Sequence, residues 1–306
     1  MTSSNARGDG ACRSRTFAAT FVLLVAGAAL ATVLLAPPLA LGVSRLGFHF
    51  PFSRIFDRAA MAALVWGLLW QRRRLKLAAR LERGFASPRA NLTRALRGLG
   101  LGLLGVAMLW ALAATQNLIV RADLRAMLTH APSALATGVA VGVIEEGFFR
   151  ALLLDGLQEG LGAPSALIAS AAVYAAAHLV RSRSRFELNR LDMGAGLRNL
   201  AYGLGTLLRA QALAGFVGLS LLGLVLGLAF QRTGTVYFSL GLHAALVFGL
   251  KSWRYLVVAP GDSAGWVVGY GWPPLVSGVT AWGLLLAILL AIGPLSGGTP
   301  RRHQSS

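Results

Sequence analysis

The sequence is poor in charge, and poorest in acid. Only 13% of its 306 residues are charged, and 11 of those are Asp or Glu against 29 Lys or Arg. Soluble domains carry about a quarter charged residues. With 56% hydrophobic residues and a mean hydropathy of +0.64, a water-soluble globular domain is excluded. The expectation is an all-α, polytopic integral membrane bundle. Cysteine is nearly absent: Cys12 stands alone, which excludes an intrachain disulfide and a cysteine-built metal centre. The net charge of +18 comes with no basic face interleaved with aromatics, so nucleic acid is not the expected partner. The basic residues flank apolar runs, as the positive-inside rule requires, and anionic lipid headgroups suffice to balance them.

What is present is a series of apolar runs, each about 20 residues as a bilayer span requires. They number about eight: 17–43, 50–70, 98–120, 133–157, 165–180, 211–230, 235–250 and 275–295. The first is longer than the roughly 7–15-residue core of a signal peptide, which favours a retained helix. The second is interrupted by Arg54, Asp57 and Arg58. Pro164 precedes the fifth, a favoured place for proline at a helix start. Residues 197–210 suit an interfacial helix, and Gln231–Gly234 a tight turn. The segment 71–97, rich in Arg and Lys, reads as a cytoplasmic connection, and 121–132 as a short polar link. The expected organisation is a disordered basic N-terminus over 1–16, one membrane domain over 17–295, and a basic tail over 296–306. Eight spans put both termini on one side, and the basic segments make that side cytoplasmic. The basic loop 181–198 conflicts with this count. Either one span is miscounted or the loop folds back into the protein.

Against this background two adjacent acids stand out. Glu145 and Glu146 lie inside an apolar run, where a charge costs roughly 2.5–3.5 kcal/mol at mid-bilayer depth, so function or compensation is expected there. On a helix Glu146 and Arg150 share a face, with the acid N-terminal, and Arg150 can neutralise it. Glu145 lies about 100° around the helix, without that partner; a carboxyl desolvated in this way suits general-base work. A second motif, Tyr174 to His178, puts a phenol and an imidazole on one face among alanines. A third is His243, within Ser239–Val247. Of five histidines, only His178 and His243 fall well inside spans. Taken singly, each has a structural reading: a Glu–Arg pair can simply lock two helices, a lone histidine can bond a neighbouring helix, and Tyr174 can be core. Gly223 and Gly227 form a GxxxG pattern for close packing. Together the polar groups can converge on one buried pocket.

The pattern Glu-Glu-x-x-x-Arg, then aromatic-x-x-x-His, then a late histidine, resembles the CPBP family: the CAAX prenyl endopeptidases and the bacteriocin-processing or immunity proteins, also called Abi proteins. The resemblance covers about residues 139–248. It implies a glutamate-dependent intramembrane endopeptidase acting on a membrane-associated protein or peptide. In that reading Glu145 matches the catalytic base, His178 the histidine that helps it activate water, and His243 the histidine that helps stabilise the oxyanion. Glu146 and Arg150 match the supporting pair, with Tyr174 beside them. No cofactor is implied. If a zinc ion binds, Glu145, His178 and His243 are its expected ligands. Val247 stands where the family often has Asn, which removes one candidate oxyanion donor. That departure motivates the alternative of an inactive member serving as an immunity, scaffold or membrane-binding protein. A proton-coupled transporter is a third reading. The Arg, Ala, Gly and Leu content suits a GC-rich bacterium and its inner membrane.

Overall fold

The structure is a computed structural model and describes residues 5–115, 123–180, 186–188, 190–256 and 276–295. All regular structure among the described residues is helical. In chain order the helices are α1 (Asn5–Arg45), α2 (Phe52–Trp70), α3 (Leu77–Gly84), α4 (Pro88–Thr115), α5 (Leu124–Glu146), a π-helical segment (Gly147–Leu154), α6 (Asp155–Leu179), α7 (Gly194–Gly205), α8 (Ala210–Thr233), α9 (Tyr237–Leu256) and α10 (Val279–Leu295). A 3-10 turn (Thr206–Leu208) follows α7. The described parts of the eight apolar runs are largely helical, the fourth crossing from α5 through the π-helical segment into α6, and residues 197–205 of the interfacial segment fall on α7. Among the described residues, four helical stretches are long and apolar enough to cross a bilayer: Phe17–Arg45, Pro88–Leu112, Leu124–Leu179 and Ala212–Thr233. The chain is an integral membrane protein.

Several boundaries move, each for a local reason. Helix α1 begins at Asn5, inside the segment expected to be disordered. Helix α5 begins at Leu124, because Asp123 accepts a bond from the Ala126 amide at 2.9 Å and caps it. Its polar first turns then satisfy themselves: Thr129, Ser133 and Thr137 donate to carbonyls one turn back. The supposed link is therefore the wet end of a helix. Helix α6 breaks at Gly162, whose φ of 73° is a left-handed conformation that glycine adopts without steric cost. It resumes around Pro164, and Gln231 of α8 donates to the Ala163 carbonyl at 2.8 Å.

The chain packs as two compact units, Met1–Ala78 with Ala176–Ala212, and Ala79–Ala175 with Leu213–Ser306. In the first, α1 and α2 pair around Ala36, Ala40, Phe52 and Phe56. Here the basic loop does fold back. Phe186 stacks on Phe52 at 5.4 Å, its carbonyl accepts the Phe52 amide at 2.9 Å, and Leu188 joins the same core.

In the second unit, α9 lies between α4 and α5. Glycines make this possible. A methyl group added at Gly98 would overlap the Phe238 carbonyl, and one at Gly241 the Ala95 carbonyl. A methyl at Gly138 would sit 2.6 Å from the Ala244 carbonyl. These backbones approach closer than any side chain allows, which is how helices gain contact in lipid without a hydrophobic driving force.

Residues 71–97 are more than a connection. Helix α3 lies in them, and Arg80 on it is buried, 2% exposed. Its guanidinium meets Asp155 at 2.5 Å and Glu159 at 2.9 Å, both on α6. Arg83 also reaches Asp155, at 2.8 Å. The Val236 amide donates to the Gly84 carbonyl at 2.9 Å, and the Tyr237 hydroxyl to the Phe85 carbonyl at 2.9 Å. The end of α3 is thus fastened to the start of both α6 and α9, the helices on either side of the acid pair in space.

Candidate active site

The acid pair closes α5, and the π-helical segment follows at once. Such wide turns are rare and often occur at functional sites. This one leaves the Phe149 carbonyl able to accept from the Ser170 hydroxyl of α6, at 3.4 Å.

Glu146 is fully buried. Its Oε1 lies 3.2 Å from Arg150 Nη1 and 2.8 Å from His243 Nδ1. Ser239, one turn before His243 on α9, is buried beside the same carboxylate and donates its hydroxyl to the Val236 carbonyl at 3.0 Å. Arg150 is equally buried, 1% exposed. Its guanidinium nitrogens make no well-aligned hydrogen bond among the described residues. Its charge is met instead by the Glu146 carboxylate on one side and ring faces on the other. Its guanidinium carbon stands 4.7 Å from the Tyr174 ring centroid and 5.9 Å from that of Phe149. A desolvated cation over an aromatic face is worth roughly 2 kcal/mol. Tyr174 and Phe149 themselves meet edge to face at 4.9 Å.

Glu145 differs from its neighbour in access. Its side chain is 23% exposed, against 0% for Glu146. The Tyr174 hydroxyl donates to it, and its Oε2 lies 3.7 Å from His243 Nε2. His243 therefore stands between the two acids, one ring nitrogen toward each. The carboxylate at Nδ1 orients the ring and leaves Nε2 turned toward Glu145. The arrangement can hold one reachable carboxylate, one oriented imidazole and a buried counter-charge in place. That is the equipment of general acid–base chemistry.

Of the six residues picked out by the sequence, five gather in the second unit: Glu145, Glu146, Arg150, Tyr174 and His243. His178 lies on the last turn of α6, one turn beyond Tyr174, and belongs to the first unit. Val247 follows His243 by one turn on α9. Among the described residues no three His, Cys, Asp or Glu side chains are grouped to hold a metal ion. Two contributors were not picked out by the sequence. Ser239 was within reach of it, since a spacing of four puts it on the face of His243. Arg80 was hidden in a basic run, although Asp155 and Glu159, four apart on α6, are a paired acidic face in need of a cation.

Fold and site together define an integral membrane helical protein with a buried acid–arginine–histidine cluster. Residues 127–249 match the family model described as Rce1-like, type II CAAX prenyl endopeptidase. The matched segment spans about two-fifths of the chain and contains all six candidate residues. The family that the segment resembles is one of proteases. No curated protein and no solved structure matches the chain.

Proposed function

We propose that the chain is an intramembrane endopeptidase that hydrolyses a peptide bond in a membrane-associated protein or peptide, with Glu145 as its base. The observation that carries this reading is the contrast within the acid pair. Glu146 is sealed in and committed to Arg150 and His243, while Glu145 is reachable and held by a phenol.

In this mechanism Glu145 takes a proton from water as the oxygen attacks the peptide carbonyl. His178, supplied by the family resemblance, assists at the water. His243, protonated and steadied by Glu146, donates from Nε2 to the oxygen on which negative charge develops. The proton held by Glu145 then passes to the departing amine. Tyr174 positions the base, and Arg150 pairs with Glu146. No metal takes part, and the site faces a substrate anchored in the same inner membrane.

The test compares the termini of membrane and secreted proteins in cells carrying wild type or Glu145→Gln. Glu145→Gln keeps the shape and leaves Arg150 paired, so expression should be unchanged. A defined set of new termini should disappear. If the two sets of termini coincide while Glu145→Gln still rescues a null strain, the protein works as an immunity or scaffold protein instead.

A further inference from the structure

The first unit contains a groove that the acid pair does not use. Helices α1 and α2 are joined by residues 46–51 and pack antiparallel: Gly67 meets Leu24, while Phe52 and Phe56 meet Ala36 and Ala40. Between them runs a cavity of about 590 Å³. Small residues on both helices open it, among them Gly27, Ala31 and Ala63. Trp66 and Trp70 wall it and are 69% and 75% exposed. Thr32, one of its few polar groups, spends its hydroxyl on the Ala28 carbonyl at 2.7 Å. The volume lies within the roughly 300–1,000 Å³ of sites that enclose small molecules.

The groove changes character at one end. Gln71 and Arg74 line it there. A second recess, of about 410 Å³, shares Trp70, Gln71 and Arg74 with it and adds Arg72 and Arg73. Among the described residues no carboxylate pairs with any of these three arginines. A dry trough, then tryptophan, then guanidinium is the order of chemistries met along a phospholipid from chain to headgroup. Tryptophan prefers the headgroup level, and arginine binds phosphate through a fork of donors.

We propose that the α1–α2 groove holds an acyl chain of one anionic phospholipid, with its phosphate among Arg72, Arg73 and Arg74. The site lies before residue 127 and so outside the family-matched segment. It stands independently of the peptidase reading.

The purified full-length protein in detergent is mixed with equal amounts of phosphatidylglycerol and phosphatidylcholine bearing the same chains. Retained lipid is counted by native mass spectrometry. Wild type should keep one phosphatidylglycerol about tenfold over phosphatidylcholine, since basic residues at the headgroup level select anionic lipid. Replacing Arg72, Arg73 and Arg74 with Gln should abolish that preference. Gly27→Leu is the discriminating variant. A Cβ there meets nothing within 4 Å, so the substitution starts from open space and fills the trough, and retention should drop although the arginines remain. Equal retention of the two lipids by wild type overturns the proposal. So does undiminished retention by Gly27→Leu, which would assign the arginines to general attraction at the membrane surface.

Discussion

Glu146 bonds forward to Arg150 on its own strand of helix and across to His243, 97 residues away. One carboxylate thus neutralises a buried cation and orients an imidazole. Glu146→Gln keeps the shape and removes the charge, leaving Arg150 without its anion. Breaking a buried pair from one side costs about 3–5 kcal/mol, so the thermal midpoint in detergent should fall clearly. Arg150→Met added to Glu146→Gln should recover part of that loss; no recovery would mean the pair is not the source of it. His243→Ala should slow cleavage by about 10²–10³-fold, the usual cost of removing an oxyanion donor, while Glu146 retains Arg150. The pairing within the first motif was legible, because a spacing of four fixes neighbours on a helix. The link to His243 was legible only as convergence, since nothing local ties residues 97 apart.

At the scale of elements, the glycine seams decide where His243 can be. Gly98 and Gly100 sit on the same helix, two residues apart, in opposite circumstances. An added Cβ would strike the Phe238 carbonyl at Gly98 and meet nothing within 4 Å at Gly100. Gly98→Val should therefore destabilise the protein by about 1–3 kcal/mol or more, as overpacking does. Gly100→Val should leave folding unchanged. Equal yields and melting of the two variants would show that α4 and α9 are not in backbone contact. Arg80→Ala tests the brace on the other side. It removes one cation from Asp155, which keeps Arg83, and one from Glu159, and both acids are one-quarter to one-third exposed, so the loss should be about 1–3 kcal/mol, less than for a fully buried pair. The sequence signalled one seam, Gly223–Gly227, and a Cβ added at Gly223 would sit 2.9 Å from Ala171 Cα. The seams around α9 draw glycines from three helices, and a pattern read along one helix cannot show which other helix will meet it. Arg80 was missed for a related reason: composition marks a basic run as solvated, and only packing shows which of its members turns inward.

For the whole molecule, apolar run length was enough to locate the long helices, because a bilayer demands about 20 apolar residues whatever the fold; it missed α3, which is short and basic. It could not divide the chain into its two packed units, which depends on which helices share a core. Orientation rests on basic flanks, and the chain offers a simple probe of it. Cys12 is its only cysteine and lies in the basic N-terminal segment, so a thiol reagent that cannot cross membranes should label it only after cells are permeabilised. Labelling in intact cells would reverse the orientation expected from the positive-inside rule.

The π-helical segment has a further consequence, at the level of insertion and deletion. Bonding from residue i to i+5 amounts to an α-helix carrying one residue too many. The widened turn takes up that surplus locally, so helix α6 keeps the facing it would have without it. A single deletion between Gly147 and Leu154 should therefore be absorbed by a return to ordinary α bonding, with Tyr174 still facing Glu145. The same deletion between Pro164 and Tyr174 on α6 has no such reserve and would turn Tyr174 by about 100°. The π-helical stretch is thus a place where the chain can lose one residue while the site keeps its facing.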